Sequence, residues 1–133
     1  MINLPRPNSF DIVKTTALTL PNVELSQKYD GSPVLKVHGI FLAGIAMHPS
    51  VEPETLVVRC GLEERTNLIA DAPGTFYITD YYQRYPLVLV RLRHIEPDAL
   101  HDLLSVSWKM TIAKVPKRAG QPMNRYWPNW RSV

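Results

Sequence analysis

Cys60 is the only cysteine of the chain, and a thiol becomes a nucleophile only where a nearby base or cation lowers its pKa. The four histidines are His38, His48, His94 and His101, none of them close to Cys60 in sequence. Cys60 also falls on the core-facing side of a predicted strand, which favours an inert buried thiol. The histidines lack ligand spacing: His94 precedes the helix that holds His101, so no metal site is expected. Glu52 with Glu54, and Glu63 with Glu64, are carboxylate pairs that loop solvation and helix-start charge explain. No glycine-rich phosphate loop, nucleophile elbow or zinc-finger spacing occurs. The expectation is a non-enzymatic protein without cofactor or metal.

Binding chemistry is better represented. The stretch TDYYQRYPLVLVRL, residues 79–92, sets Tyr81, Tyr82 and Tyr85 around Arg84, between two predicted strands. Such rings can form a platform that stacks on a base or a peptide. They can equally pack over the core edge, with a hydroxyl bonded to backbone. The segment RYWPNWR, residues 125–131, holds Trp127 and Trp130, two of the three tryptophans, between Arg125 and Arg131. Aromatics alternating with arginines suit stacking plus phosphate contacts, while the cost of exposed tryptophan favours docking on the domain or on a second subunit.

The elements that must position these residues follow from periodicity. A first helix is predicted from a cap at Asn8 or Ser9 to about Leu20, with Phe10, Val13, Ala17 and Leu20 on one face. A short edge-like strand is expected near Leu25–Lys28. Val34–His38 follows the Asp30-Gly31 turn, and Gly39 separates it from Ile40–Met47 in a hairpin. Leu56–Cys60 is a further strand, Gly61–Ala72 a short helix and Phe76–Thr79 a brief strand. Leu87–Arg93 is the strongest strand, and Pro86 suits its start, where no ladder donor is needed. The last helix opens at Pro97, with Leu100, Leu103, Leu104, Ser107, Trp108, Thr111 and Ile112 in one stripe. The order is α-β-β-β-β-α-β-β-α. Hairpin connections predict an α+β fold in two layers, with a mostly antiparallel sheet and its helices on one face.

Strand alternation assigns faces. Val88, Val90 and Leu92 share one side of their strand, and Leu87, Leu89, Arg91 and Arg93 the other. Arg59 opposes Leu56, Val58 and Cys60, while Lys36 and His38 oppose Leu35 and Val37. With helices over the apolar side, Lys36, His38, Arg59, Arg91 and Arg93 should occupy an open cationic face without carboxylates. Basic side chains that merely cover the sheet with their stems would give the same pattern.

At 133 residues the chain fits one domain. Apolar content of 45% and charged content of 20% are ordinary for a globular protein. No run approaches the roughly 18 apolar residues that span a bilayer, so no membrane association is expected. A proline pair in MINLPRPNSF stands where an export signal would carry its apolar segment, and the lone cysteine fits a reducing cytoplasm. The net charge of +3 is uneven. Residues 109–133 hold six of the 15 basic residues and none of the 12 acidic ones, so the other 108 residues are mildly acidic. A basic end of this kind suits an anionic partner or plain solvation.

Three segments carry a resemblance to the MmcQ/YjbR family of small bacterial proteins. They are LPNVELSQKYDGSPVLKVHGIFLA (20–43), LVVRCGLEERTNLIADAPGTFYITDYYQRYPLVLVRL (56–92) and DALHDLLSVSWKMTIAKVPKR (98–118). The most specific run is Tyr82-x-x-Tyr85-Pro86-x-Val88-Leu89-Val90, followed by Trp108 and Lys117-Arg118. Where the family often has a histidine, this chain has Tyr81. The resemblance implies an α-β(3)-α-β(2)-α domain of the CyaY-like kind over residues 1–118, and it does not extend to the basic, tryptophan-rich tail, 119–133. It implies DNA binding on structural grounds, with no established activity. Frataxin-type iron handling needs an acidic first helix, and here that helix holds only Asp11. The leading expectation is therefore a module contacting nucleic acid through Lys36, Arg59, Arg84, Arg91, Arg93, Lys117, Arg118 and the tail. The alternative is a protein-interaction or chaperone-like module, with a homodimer as one form, using Tyr81, Tyr82, Tyr85, Trp127 and Trp130.

Overall fold

The computed structural model describes residues 9–113. Three helices, α1 (Ser9–Ala17), α2 (Leu62–Asp71) and α3 (Pro97–Ile112), accompany six strands. These are β1 (Val23–Gln27), β2 (Pro33–Val37), β3 (Ile40–Ile45), β4 (Thr55–Arg59), β5 (Phe76–Tyr77) and β6 (Leu87–Arg91). They form one antiparallel sheet in the order β1-β2-β3-β4-β6-β5, so the fold is α+β. Four strands precede α2, as the periodicity predicts and one more than the family resemblance implies. The edge strand β1 is fully laddered to β2.

Local chemistry explains the joints. His38 and Gly39, at φ of 50° and 80°, make the two-residue turn between β2 and β3, a left-handed geometry matched to the twist of a hairpin. A bulge then offsets the register from Leu35↔Ala43 to Lys36↔Phe41. Leu42 and Ala43 consequently both face the helices, and Phe41 turns to the other side. Helix α1 is shorter than predicted. The Thr19 and Leu20 amides bond three residues back, to Thr16 and Ala17, and these tight turns end the helix before Leu20.

The main core lies between α1, α3 and the sheet. Phe10, Val13 and Ala17 from α1 and Leu100, Leu103 and Leu104 from α3 pack on Leu35, Val37, Leu56, Val58, Val88 and Val90. The Trp108 indole donates to the Pro21 carbonyl at 2.8 Å, tying α3 to the segment after α1. Helix α2 packs on β5 and β6 and sets Leu68 and Ile69 against the edge of this core. The opposite sheet face holds a second, smaller core of Val34, Phe41, Val57, Leu87 and Leu89, covered by Tyr82 and flanked by Val51, Tyr81 and Tyr85. Among the described residues no helix is long and apolar enough to cross a membrane.

Candidate functional site

The faces predicted from strand alternation hold, but the open cationic face is corrected. Arg59 is 4% exposed, and its Nε donates to the Phe41 carbonyl at 3.0 Å. Burial lowers its pKa to about 10. Arg91 chelates Glu52 with contacts of 2.6–3.0 Å, donates to the Pro73 carbonyl, and lies 4.2 Å from the Tyr77 ring centroid. That guanidinium holds the Glu52 carboxyl below its ordinary range. Arg93 pairs with Glu54. The two glutamates stand in the β3–β4 loop, in register with the end of β6, a proximity that strand-by-strand alternation does not reveal. Lys36 is half-buried and lies opposite Glu24 across the β1–β2 ladder. Arg84 is exposed and projects over the Tyr85 ring at 5.4 Å. Lys117, Arg118, Trp127, Trp130 and the tail lie outside the described residues.

The tyrosine loop is mainly architecture. Tyr82 is fully buried, edge-on to Tyr81 with centroids 4.9 Å apart. Burial pushes its phenol well above the ordinary range, and a hydrogen bond with the His48 backbone opposes that shift in part. Tyr81 stacks on His48 at 3.5 Å. His48 Nδ1 accepts the Ser50 amide, and Ser50 Oγ reaches Thr79. Tyr85 is half-buried beside them.

Sequence reasoning missed Arg65. This residue of α2 is 9% exposed and donates to the Gln83, Tyr85 and Leu87 carbonyls at 2.8–3.2 Å. It thereby fastens the tyrosine loop to α2. A signal was present: Arg65 precedes Leu68 and Ile69 by three and four residues, which places all three on one helical face. Lys28, also missed, is 3% exposed and bonded to the Ile45 carbonyl, and burial lowers its amine to about 8.

A cavity of about 390 Å³ opens between α2 and α3. Helix α2 lines it with Glu64, Asn67, Leu68 and Asp71, at i, i+3, i+4 and i+7. Helix α3 lines it with Ala99, Asp102, Leu103, Val106 and Ser107, at i, i+3, i+4, i+7 and i+8. The two helices therefore turn matching stripes toward each other across a gap, with Phe76, Arg59 and Cys60 completing the walls. Val106 is 52% exposed and Ser107 is 1% exposed. The Ser107 hydroxyl has no hydrogen-bond partner among the described residues. That oxygen has essentially no accessible surface, so it lies behind the lining and is not open to the gap.

Cys60 does not make the slot reactive. Burial, reinforced by the Glu64 charge, raises its thiol to about 11. A shift from 9.0 to about 11 leaves about a hundredfold less thiolate near neutral pH. Iodoacetamide at pH 8 should alkylate the folded protein at least about a hundredfold more slowly than the urea-unfolded chain. The rate should climb only as pH approaches 11. Equal rates in the two states would contradict the buried-thiol geometry. No group of three or more His, Cys, Asp or Glu among the described residues is placed to hold a metal ion.

No family model matches the chain. Curated relatives include uncharacterized proteins of Mycobacterium bovis and of two strains of Mycobacterium tuberculosis. Each is 45% identical over 47 residues, which cover 35% of this chain and 36% of the relative. The matched segment thus spans about a third of the length of these relatives.

Proposed function

We propose that the protein is a binding module that seats an apolar helical segment of a partner protein in the slot between α2 and α3. The observation that carries this reading is the pair of facing helical stripes across a gap of about 390 Å³. Apolar grooves between helices accept amphipathic helices through anchors at i, i+3, i+4 and i+7. Leu68, Phe76, Leu103 and Val106 supply the matching apolar surface. The volume lies at the lower end of that of small-ligand pockets and suits one or two large side chains.

The likeness to the MmcQ/YjbR family supports contact with DNA instead. In the described body that reading would use Lys36, Arg59, Arg84, Arg91 and Arg93, and the guanidinium groups of Arg59, Arg91 and Arg93 are already engaged with Phe41, Glu52 and Glu54. Phosphate contact would have to compete with those partners. The apolar slot is therefore favoured.

The test is ¹⁵N-amide chemical-shift mapping of the full chain. It is titrated in parallel with a 15-residue amphipathic peptide, leucine on one face and glutamine on the other, and with duplex DNA. The peptide should move Asn67, Leu68, Leu103 and Val106, and Val106→Arg should abolish those shifts without disturbing the fold, because Val106 is 52% exposed. Salt-sensitive shifts with DNA alone, leaving these four amides unmoved, would overturn the reading in favour of nucleic acid. A dimer that Val106→Arg converts to monomer would overturn it in favour of a second copy of the chain.

A further inference from the structure

We infer that the slot selects a cationic partner segment, one whose apolar anchors are flanked by lysine or arginine. The inference rests on the slot being the binding site and adds the charge of its occupant.

Three carboxylates border the cavity: Glu64 and Asp71 from α2 and Asp102 from α3. All three belong to exposed residues, so they form the rim, while Leu68, Phe76 and Leu103 lie deeper. Glu64 and Asp71 are seven residues apart, so about 10 Å of helix separates the two acids on one face. Neither forms an ion pair among the described residues. Among the described residues Asp102 pairs with His101 Nδ1 at 3.7 Å, a group on the same helix that is positive only when protonated.

Among the described residues the local cations are turned away from the rim. Arg59, the basic residue among those lining the cavity, is 4% exposed, and its Nε is directed to the Phe41 carbonyl. Arg65 points to the Gln83, Tyr85 and Leu87 carbonyls. Lys109 of α3 is exposed but does not line the cavity. Among the described residues the mouth is therefore negative, set against an apolar floor of Leu68, Phe76 and Leu103. An acidic partner would be repelled at three points, and a basic one would meet acids on both walls.

Three 15-residue helical peptides with identical leucine anchors separate the possibilities, carrying lysine, glutamine or glutamate on the flanks. Affinities are read from the Leu68 and Val106 amide shifts of the full chain. At low salt the lysine peptide should bind about tenfold more tightly than the glutamine peptide, and the glutamate peptide most weakly. At about 0.5 M salt the three should converge, because exposed charges are then screened within a few ångströms. The double variant Glu64→Gln/Asp71→Asn should lose the lysine advantage, so that the lysine and glutamine peptides bind it alike. Its circular dichroism should match the parent, since both side chains are exposed. Equal affinities for all three peptides at low salt would overturn the cationic inference and leave the slot standing. Failure of all three to move Leu68 and Val106 would overturn the slot as well.

Discussion

Tyr82→Ala should lower stability by about 4 kcal/mol, measured by urea denaturation, because it opens a large cavity in a closed second core. Tyr82 is fully buried and packs with Val34, Phe41, Val57, Leu87 and Leu89 on the sheet face away from the helices. Removing the ring strips cover from five buried side chains. It also deprives Tyr81, and through it the His48 stack, of a neighbour. A typical domain is stable by only about 5–15 kcal/mol, so the loss should bring the midpoint down severely. Tyr82→Phe keeps the volume and removes only the hydroxyl, which should cost about 1 kcal/mol. A Tyr82→Ala midpoint within error of the parent would mean that the loop does not cover this face in solution.

Arg65→Met should cost about 3 kcal/mol, since one guanidinium serves three backbone carbonyls at 2.8–3.2 Å. Methionine preserves much of the apolar stem but leaves those oxygens with one partner fewer in a largely buried setting. Arg65→Lys keeps the charge but loses the planar fork, so it should recover only part of the loss. The local signature is specific: amide exchange at residues 81–85 should accelerate in Arg65→Met beyond the global change, because these bonds hold the tyrosine loop to α2. Uniform protection in parent and variant would show that the loop is held by other contacts. Both predictions concern the loop that the sequence offers as an aromatic platform. Tyr82 and Arg65 instead hold it down, leaving Arg84 outside.

Much of the fold was legible because its signals are short-range. The stripe of Leu100, Leu103, Leu104, Ser107 and Thr111 is periodic enough to place α3 and its buried face within a residue of its observed ends. Alternation in Leu87–Arg91 divides Val88 and Val90 from Leu87 and Leu89 as the two cores do. The end of α1 was misplaced by about a turn, because Leu18–Leu20 continue the apolar pattern while the backbone has already tightened. Arg65 was hidden by its charge, although its spacing to Leu68 is that of a buried residue.

Local pattern sufficed for the order of elements, the inward side of β2, β4 and β6 and the burial of Cys60. Each of these follows from the pleat of a strand or the pitch of a helix acting on neighbouring residues. The fate of the arginines and the place where a ligand could enter depend instead on long-range packing. Arg91 and Glu52 are 39 residues apart in the chain, and β4–β6 pairing brings them together. Arg59 is buried because the sheet face that alternation left open is covered by a loop from a different part of the chain. The slot exists because α2 rests on β5 and β6 while α3 rests on α1 and β2–β4, leaving facing stripes unjoined. A side chain's direction is set locally, but its solvation and its charge partner depend on what the rest of the chain brings to it.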